Sequence, residues 1–425
     1  MKARLALVLA ASVGLAACQG DDRTPSAASG TTTPAEVQEN LLTLVSDQPL
    51  TEVQEGRLNR IRERGIAPRV NLARTASAPG ELLRASKALR LTVAPGLSVV
   101  ATGERVQRRA ENDISWGGRV QGREDGWVQV VLSDDGMVGT VTLGTEQYSI
   151  EPLGNGMHAV SKLDQRKLPP EHGPDNPTGV LDPAPPADFL SSYQASTEGT
   201  VGVAALNTIN VLVVYTASAA SATANVSSLI QLAVDETNQS YVNSGIDISM
   251  VRVHTAQVTY NESKRSFSQH VAALRSTTDG IMDNVHTLRN TYAADVVVLV
   301  VNDSEACGIA SSIGSTATTA FAVAHFSCIT GYYSFGHEVG HLQGARHDRA
   351  VDGSTTPYAY GHGYIPASKT WRTVMAYGNN CSNCTRIQYW SNPLKTYGGV
   401  AMGTVLYEDN ARVLNLTAPT VAAYR

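Results

Sequence analysis

Between Phe335 and Asp348 the chain reads FGHEVGHLQGARHD, and few folds can satisfy what that stretch requires. On an α-helix, residues four apart share a face, so His337 and His341 aim their imidazoles at one point, with Glu338 beside the first. Gly344 suits the left-handed backbone that ends a helix, and the reversal it permits returns His347 toward the same point. Three neutral imidazoles with one open position describe a catalytic zinc site rather than a closed structural one. One Zn²⁺ is therefore expected on His337, His341 and His347, with Glu338 placed to take a proton from an attacking water. A helix with ordinary histidines would account for HExxH alone, but not for a third histidine at this distance.

The residues before the motif read as α/β. TINVLVVYT (208–216) is a continuous β-branched run, as expected of a buried strand. Val226, Leu229, Ile230, Ala233, Val234, Thr237 and Tyr241 then recur at helical spacing until Gly245. IDISM (246–250) alternates as a half-buried strand. Ile281, Val285, Leu288 and Tyr292 mark a second helix, and ADVVVLVV (294–301) and AFAVAHF (320–326) are further strands.

The beginning of the chain carries an address rather than a fold. Lys2 and Arg4 precede an apolar run ending in Leu15-Ala16-Ala17-Cys18, the layout of an export signal. It resembles a lipoprotein signal, which places a lipid on Cys18; ordinary cleavage after an alanine is the alternative. Residues 19–38 lack bulky apolar side chains and read as a flexible tether. Residues 39–166 form a β-rich region, clearest in 126–153, where short strands alternate with turns such as Asp135-Gly136 in a meander. It holds no catalytic constellation, and His158 and His172 stand isolated. Residues 167–206, rich in Pro, Gly and Ser, read as a linker containing a processing region, and 207–425 as the catalytic domain. The layout is that of a propeptide enzyme.

Export favours oxidised cysteines. Of the three pairings open to the remaining four, Cys307 with Cys328 and Cys381 with Cys384 is the one expected.

HEVGHLQGARH followed by TVMAYG resembles the metzincin zinc endopeptidases, and Asp348 after the third histidine resembles their reprolysin branch. The resemblance implies an α/β (α+β) catalytic domain with a twisted mixed sheet and an active-site helix. It also implies that Met375 forms the hydrophobic floor beneath the metal. Tyr377 is similar to the turn tyrosine of astacins and serralysins, which implies oxyanion stabilisation; a packing tyrosine is the alternative. YAYGHGY (358–364), TVMAYGNNCSNCTRIQYWSNP (373–393) and NARVLNLTAPTVAAYR resemble the bacterial peptidyl-Asp metalloendopeptidases. That family implies cleavage on the amino side of aspartate, and an acid pocket needs a fixed cation, best an arginine. Arg386 is the expected residue, with Arg346 and Arg372 competing. Many metzincin propeptides place a cysteine on the zinc. None occurs between Cys18 and Cys307, so inhibition by this propeptide requires another group or steric cover. His325 and His362 are left either as residues that support the ligands or as packing residues.

A net charge of −5 with mixed signs offers no basic stripe, which excludes nucleic acid as a partner. The expected partners are protein or peptide substrates and the chain's own propeptide, acting on a monomer. Contact with a membrane is expected only through the lipid anchor, in the cell envelope before processing frees the enzyme. Calcium is left open. The alternatives are a non-catalytic surface lipoprotein that binds metal or protein on the same fold, and a zinc endopeptidase of broader specificity.

Overall fold

The computed structural model describes residues 39–173, 176, 178–182 and 206–425. The expected export signal, the expected lipid site Cys18, the expected tether and the middle of the stretch read as linker lie outside the described residues.

Nine strands make up the first half: β1 (Glu39–Leu44), β2 (Val70–Thr75), β3 (Ala88–Ala94), β4 (Leu97–Ala110), β5 (Asp113–Val120), β6 (Gly126–Ser133), β7 (Gly136–Leu143), β8 (Glu146–Gly154) and β9 (Met157–Lys162). The expected meander is present as β6 to β9, but the strands go on to close into a barrel in the order β1-β2-β9-β8-β7-β6-β5-β4-β3. Closure depends on β2 pairing antiparallel with β9 and on β1 pairing parallel with β3. Such contacts between distant segments leave no local signature. The interior is apolar, with Leu89, Leu91, Val93, Ile114, Trp116, Val128, Val130, Val141, Ile150 and Val160 all buried. Trp116 packs over Gly118, two residues along its own strand, where a Cβ would sit 2.4 Å from the indole.

The second half is built on a six-stranded sheet. Its strands are β10 (Val180–Asp182), β11 (Asn207–Tyr215), β12 (Ile248–Gln257), β13 (Val296–Val301), β14 (Gly308–Ser312) and β15 (Phe321–His325), ordered β10-β14-β15-β13-β11-β12. All pairs are parallel except β14 with β15. β13 is buried throughout, as its unbroken Val/Leu run requires. The helix Val226–Ser244 ends on Gly245 in the left-handed conformation (φ 69°), and it packs on one face of the sheet with the helix Ser334–Leu342. Helices Phe267–Arg275 and Asn284–Thr291 pack against the other face. Both cysteine pairs, Cys307–Cys328 and Cys381–Cys384, are bridged.

β10 belongs to a stretch read as linker. Its three residues add to the free edge of β14, so part of the Pro-rich segment is bound to this sheet rather than merely connecting two units. Among the described residues, no helix is long and apolar enough to cross a membrane.

Candidate metal centre and substrate cleft

The helix Ser334–Leu342 is buried along its whole length, and its glycines explain how it sits. A Cβ at Gly336 would press on Thr237, and one at Gly340 would meet the Trp390 ring at 2.6 Å. Both glycines weaken the helix intrinsically, yet they let it lie directly on the neighbouring helix and on Trp390. Gly344 takes φ 99°, and the chain turns back through Ala345 to His347.

The three expected ligands meet. Nε2 of His347 lies 3.1 Å from Nε2 of His337 and 2.9 Å from Nε2 of His341. A fourth imidazole joins them: Nε2 of His172, read from the sequence as isolated, is 3.1 Å from that of His347. The candidate ligand atoms of all four lie within 4.8 Å of one another, and every one of these residues is buried.

Hydrogen bonding fixes which nitrogens are free. Nδ1 of His337 donates to the Val374 carbonyl, Nδ1 of His341 to that of Ala345, and Nδ1 of His172 to that of Gly308, each at 2.9 Å. A carbonyl can only accept, so these three rings carry their proton on Nδ1 and turn the Nε2 lone pair inward. Converging lone pairs repel unless a cation lies among them. Tetrahedral zinc with N ligands implies edges of about 3.3 Å, close to the spacings seen. The donor set fits Zn²⁺. Burial is the main reason these rings stay neutral: it takes His341 down to about 3 and His172 to about 4, and holds His337 and His347 well below the usual range.

Glu338 is also fully buried, and burial pushes its carboxyl well above the usual carboxylate range. Among the described residues, its Oε2 has no hydrogen-bond partner. Gly308 makes room for it, since a Cβ at that position would fall 2.2 Å from Oε1. Met375 is fully buried beneath the helix, in contact range of Gly340. Tyr377 packs its ring 4.3 Å from that of His347 and 5.3 Å from that of His172. Asp348 links the histidine turn to this segment, accepting from the Tyr377 amide at 2.9 Å and from Asn380 Nδ2 at 3.1 Å. Its carboxyl is raised to about 6, chiefly by burial.

A second buried constellation lies beside the histidines. Arg386 Nη2 donates to Glu171 Oε2 at 2.7 Å, and Arg372 Nη2 to Glu171 Oε1 at 2.9 Å. Tyr332 Oη and the Gly378 amide also donate to Oε1. Burial alone would raise the Glu171 carboxyl, but Arg386 and then Arg372 hold it below the usual range. Arg386 stacks over the Tyr332 ring, and Arg372 is further anchored on the carbonyls of Ala376 and Cys384, the latter within the bridged loop. Arg386 and Arg372, two of the three arginines weighed in the sequence, therefore share one carboxylate, whereas Arg346 pairs with Asp352 at 2.7 Å. His362 hydrogen-bonds the carbonyls of His347 and Ser354, and His325 bonds Ser327. Neither reaches the histidine cluster.

A model of the metallopeptidase family M12 (Reprolysin_5) matches residues 205–391. A peptidyl-Asp metalloendopeptidase of Stenotrophomonas maltophilia (strain K279a) is 45% identical over 326 residues, covering 75% of this chain and 76% of that protein. The chain belongs to the peptidyl-Asp metalloendopeptidase family. A family member from Xanthomonas campestris pv. campestris is 41% identical over 367 residues, 81% of this chain and 84% of its own. One from Pseudomonas fragi is 43% identical over 192 residues, which is 45% of this chain and all of that protein. As a member of the family, the chain is a zinc metalloendopeptidase, and its fit to zinc rests on the imidazole geometry above.

Proposed function

We propose that the protein is an exported zinc endopeptidase that cleaves on the amino side of aspartate, with the N-terminal barrel as its intramolecular inhibitor. The observation that carries the specificity is the paired grip of Arg372 and Arg386 on a carboxylate, buried next to the histidines. Two guanidiniums fixed by backbone carbonyls and an aromatic ring are pre-organised for an acidic side chain, and little ordering cost remains to be met on binding.

Zinc on His337, His341 and His347 supplies Lewis acidity toward water and the scissile carbonyl. Glu338 accepts the proton of the attacking water and delivers it to the departing amine. Tyr377, packed on His347, donates a hydrogen bond to the oxyanion as it develops. Met375 and the Val374 carbonyl keep His337 in place from below.

Glu338→Gln removes the proton acceptor and leaves all the imidazoles. Hydrolysis of an Asp-containing peptide should fall about 10²- to 10⁴-fold, while zinc content stays stoichiometric. Turnover within a few-fold of the parent would rule out this mechanism. A matched peptide with Leu in place of Asp should be cleaved poorly by the parent enzyme, and equal cleavage of the two would remove the specificity.

A further inference from the structure

The metal centre carries one histidine more than catalysis needs, and that histidine comes from outside the catalytic half. His172 lies in the stretch read as linker, and its immediate neighbour Glu171 occupies the arginine pocket. The two adjacent residues thus fill both halves of the cleft at once, one toward the metal and one toward the acid-recognising arginines.

The surrounding segment is held in register along β14. The Cys307 amide donates to the Pro170 carbonyl at 2.7 Å, the Gly308 amide to that of Glu171 at 3.3 Å, and the Ala310 amide to that of Gly179 at 2.9 Å. Upstream, Gln165 makes a two-way bond to the Arg386 backbone, donating at 3.0 Å and accepting at 2.7 Å. Leu168 packs against Tyr332 and the Cys307–Cys328 bridge. Gly179, at φ 66°, passes so close to the His172 ring that a Cβ would lie 2.1 Å from it. A segment bound through backbone amides of a sheet edge, with one side chain in each pocket, is bound as an extended peptide is bound.

We propose that Glu171-His172 is an internal pseudosubstrate. In the intact chain His172 is the fourth ligand of the zinc, closing the position that catalysis requires open, and Glu171 stands in for the acidic side chain of a substrate. Both halves of the latch must leave together, because they are consecutive residues. The inference deepens the proposed function and rests on its reading of the three histidines and of the arginine pocket.

The test uses the full chain in the Glu338→Gln background, which keeps it uncleaved, loaded with Co²⁺ so that coordination is read from the d–d absorption. The intact chain should give the spectrum of four nitrogen ligands. His172→Gln, and separately His172→Ala, should shift it to three nitrogens with a solvent oxygen. Acetohydroxamate, a small chelating probe of the open position, should then bind about tenfold or more tightly, since the latch no longer withholds the site. Glu171→Ala should also raise hydroxamate affinity, with Glu171→Asp restoring much of the exclusion, because the carboxylate holds its neighbour on the metal. Spectra and hydroxamate binding unchanged by both His172 variants would overturn the latch while leaving the peptidase reading intact. A Glu338→Gln chain that takes up no stoichiometric Co²⁺ would instead overturn the metal centre itself. Hydroxamate exclusion unaltered in Glu171→Ala would remove the substrate-mimic half of the proposal.

Discussion

The barrel and the catalytic half solve the problem of a protein interior in opposite ways. The barrel closes its hydrogen bonds strand to strand and fills itself with Leu, Val and Ile. Its buried His158 finds both of its partners, the Met137 amide and the Gly156 carbonyl, within the barrel. The catalytic half buries Glu338, Arg372, Arg386 and the histidine cluster, groups that each need a partner brought from elsewhere. Where the halves meet, the contact is largely polar. Thr140 bonds Glu236, Gln129 bonds Gln388 and Gln147 bonds Tyr333, around a small apolar patch of Val131, Val138 and Leu232. Contacts of that composition resemble those between units able to part. The difference teaches that one half is held by strand pairing and an apolar interior of its own, whereas the other holds reactive groups in position and depends on what fills its cleft.

The largest effect that would sharpen this comparison is removal of the metal. Chelation should abolish peptidase activity and lower the melting of the catalytic half. At a thousandfold excess of zinc over its Kd, the loss is about 4 kcal/mol. The barrel transition should stay where it was in calorimetry, and a fall in both transitions would mean that the halves do not differ in this way.

Next in size is a cavity in the barrel. Leu91→Ala, at a fully buried position, should cost about 2–5 kcal/mol in the barrel transition without changing zinc content. Loss of zinc from this variant would show that the barrel supports the metal centre directly.

Acid should act on the barrel through His158. Its Nε2 accepts from the Met137 amide and its Nδ1 donates to the Gly156 carbonyl, and burial takes the ring down to about 4. A group whose pKa is depressed on folding contributes stability that is present above its unfolded value, near 6.5, and is lost as pH falls through 4. Over that window the barrel should lose about 3 kcal/mol, and His158→Gln should flatten the dependence. A barrel melting profile as steep in His158→Gln as in the parent would assign the acid lability to other groups.

The smallest effect is on selectivity. Arg386→Ala should lower the preference for Asp over Leu at least about tenfold, a difference of about 1.4 kcal/mol. Arg372 still faces the substrate carboxylate in that variant, so a residual preference should remain. The kcat/KM ratio of matched peptides reads both. An unchanged ratio would leave Arg372 as the principal reader of the acid.

The sequence by itself determined what depends on neighbours along the chain. His337, His341 and Glu338 share a helix, and Gly344 and His347 follow within six residues of His341, so local geometry places them without any tertiary contact. The strands 208–216 and 294–301 were legible for the same reason: an unbroken β-branched run has few alternatives to a buried parallel strand. Barrel closure was not legible, because β1 against β3 and β2 against β9 are joined across long stretches with no distinctive local pattern. β14, reading GIASS, was missed because small residues carry no strand periodicity. His172 was misread for the most physical of these reasons. Its setting, EHGP in a Pro- and Gly-rich stretch, looks like solvent-exposed linker, and its partner His347 lies 175 residues away. Only the tertiary structure carries that segment along the β14 edge, where backbone amides fix its register and bring an imidazole and a carboxylate to two pockets made by other parts of the chain.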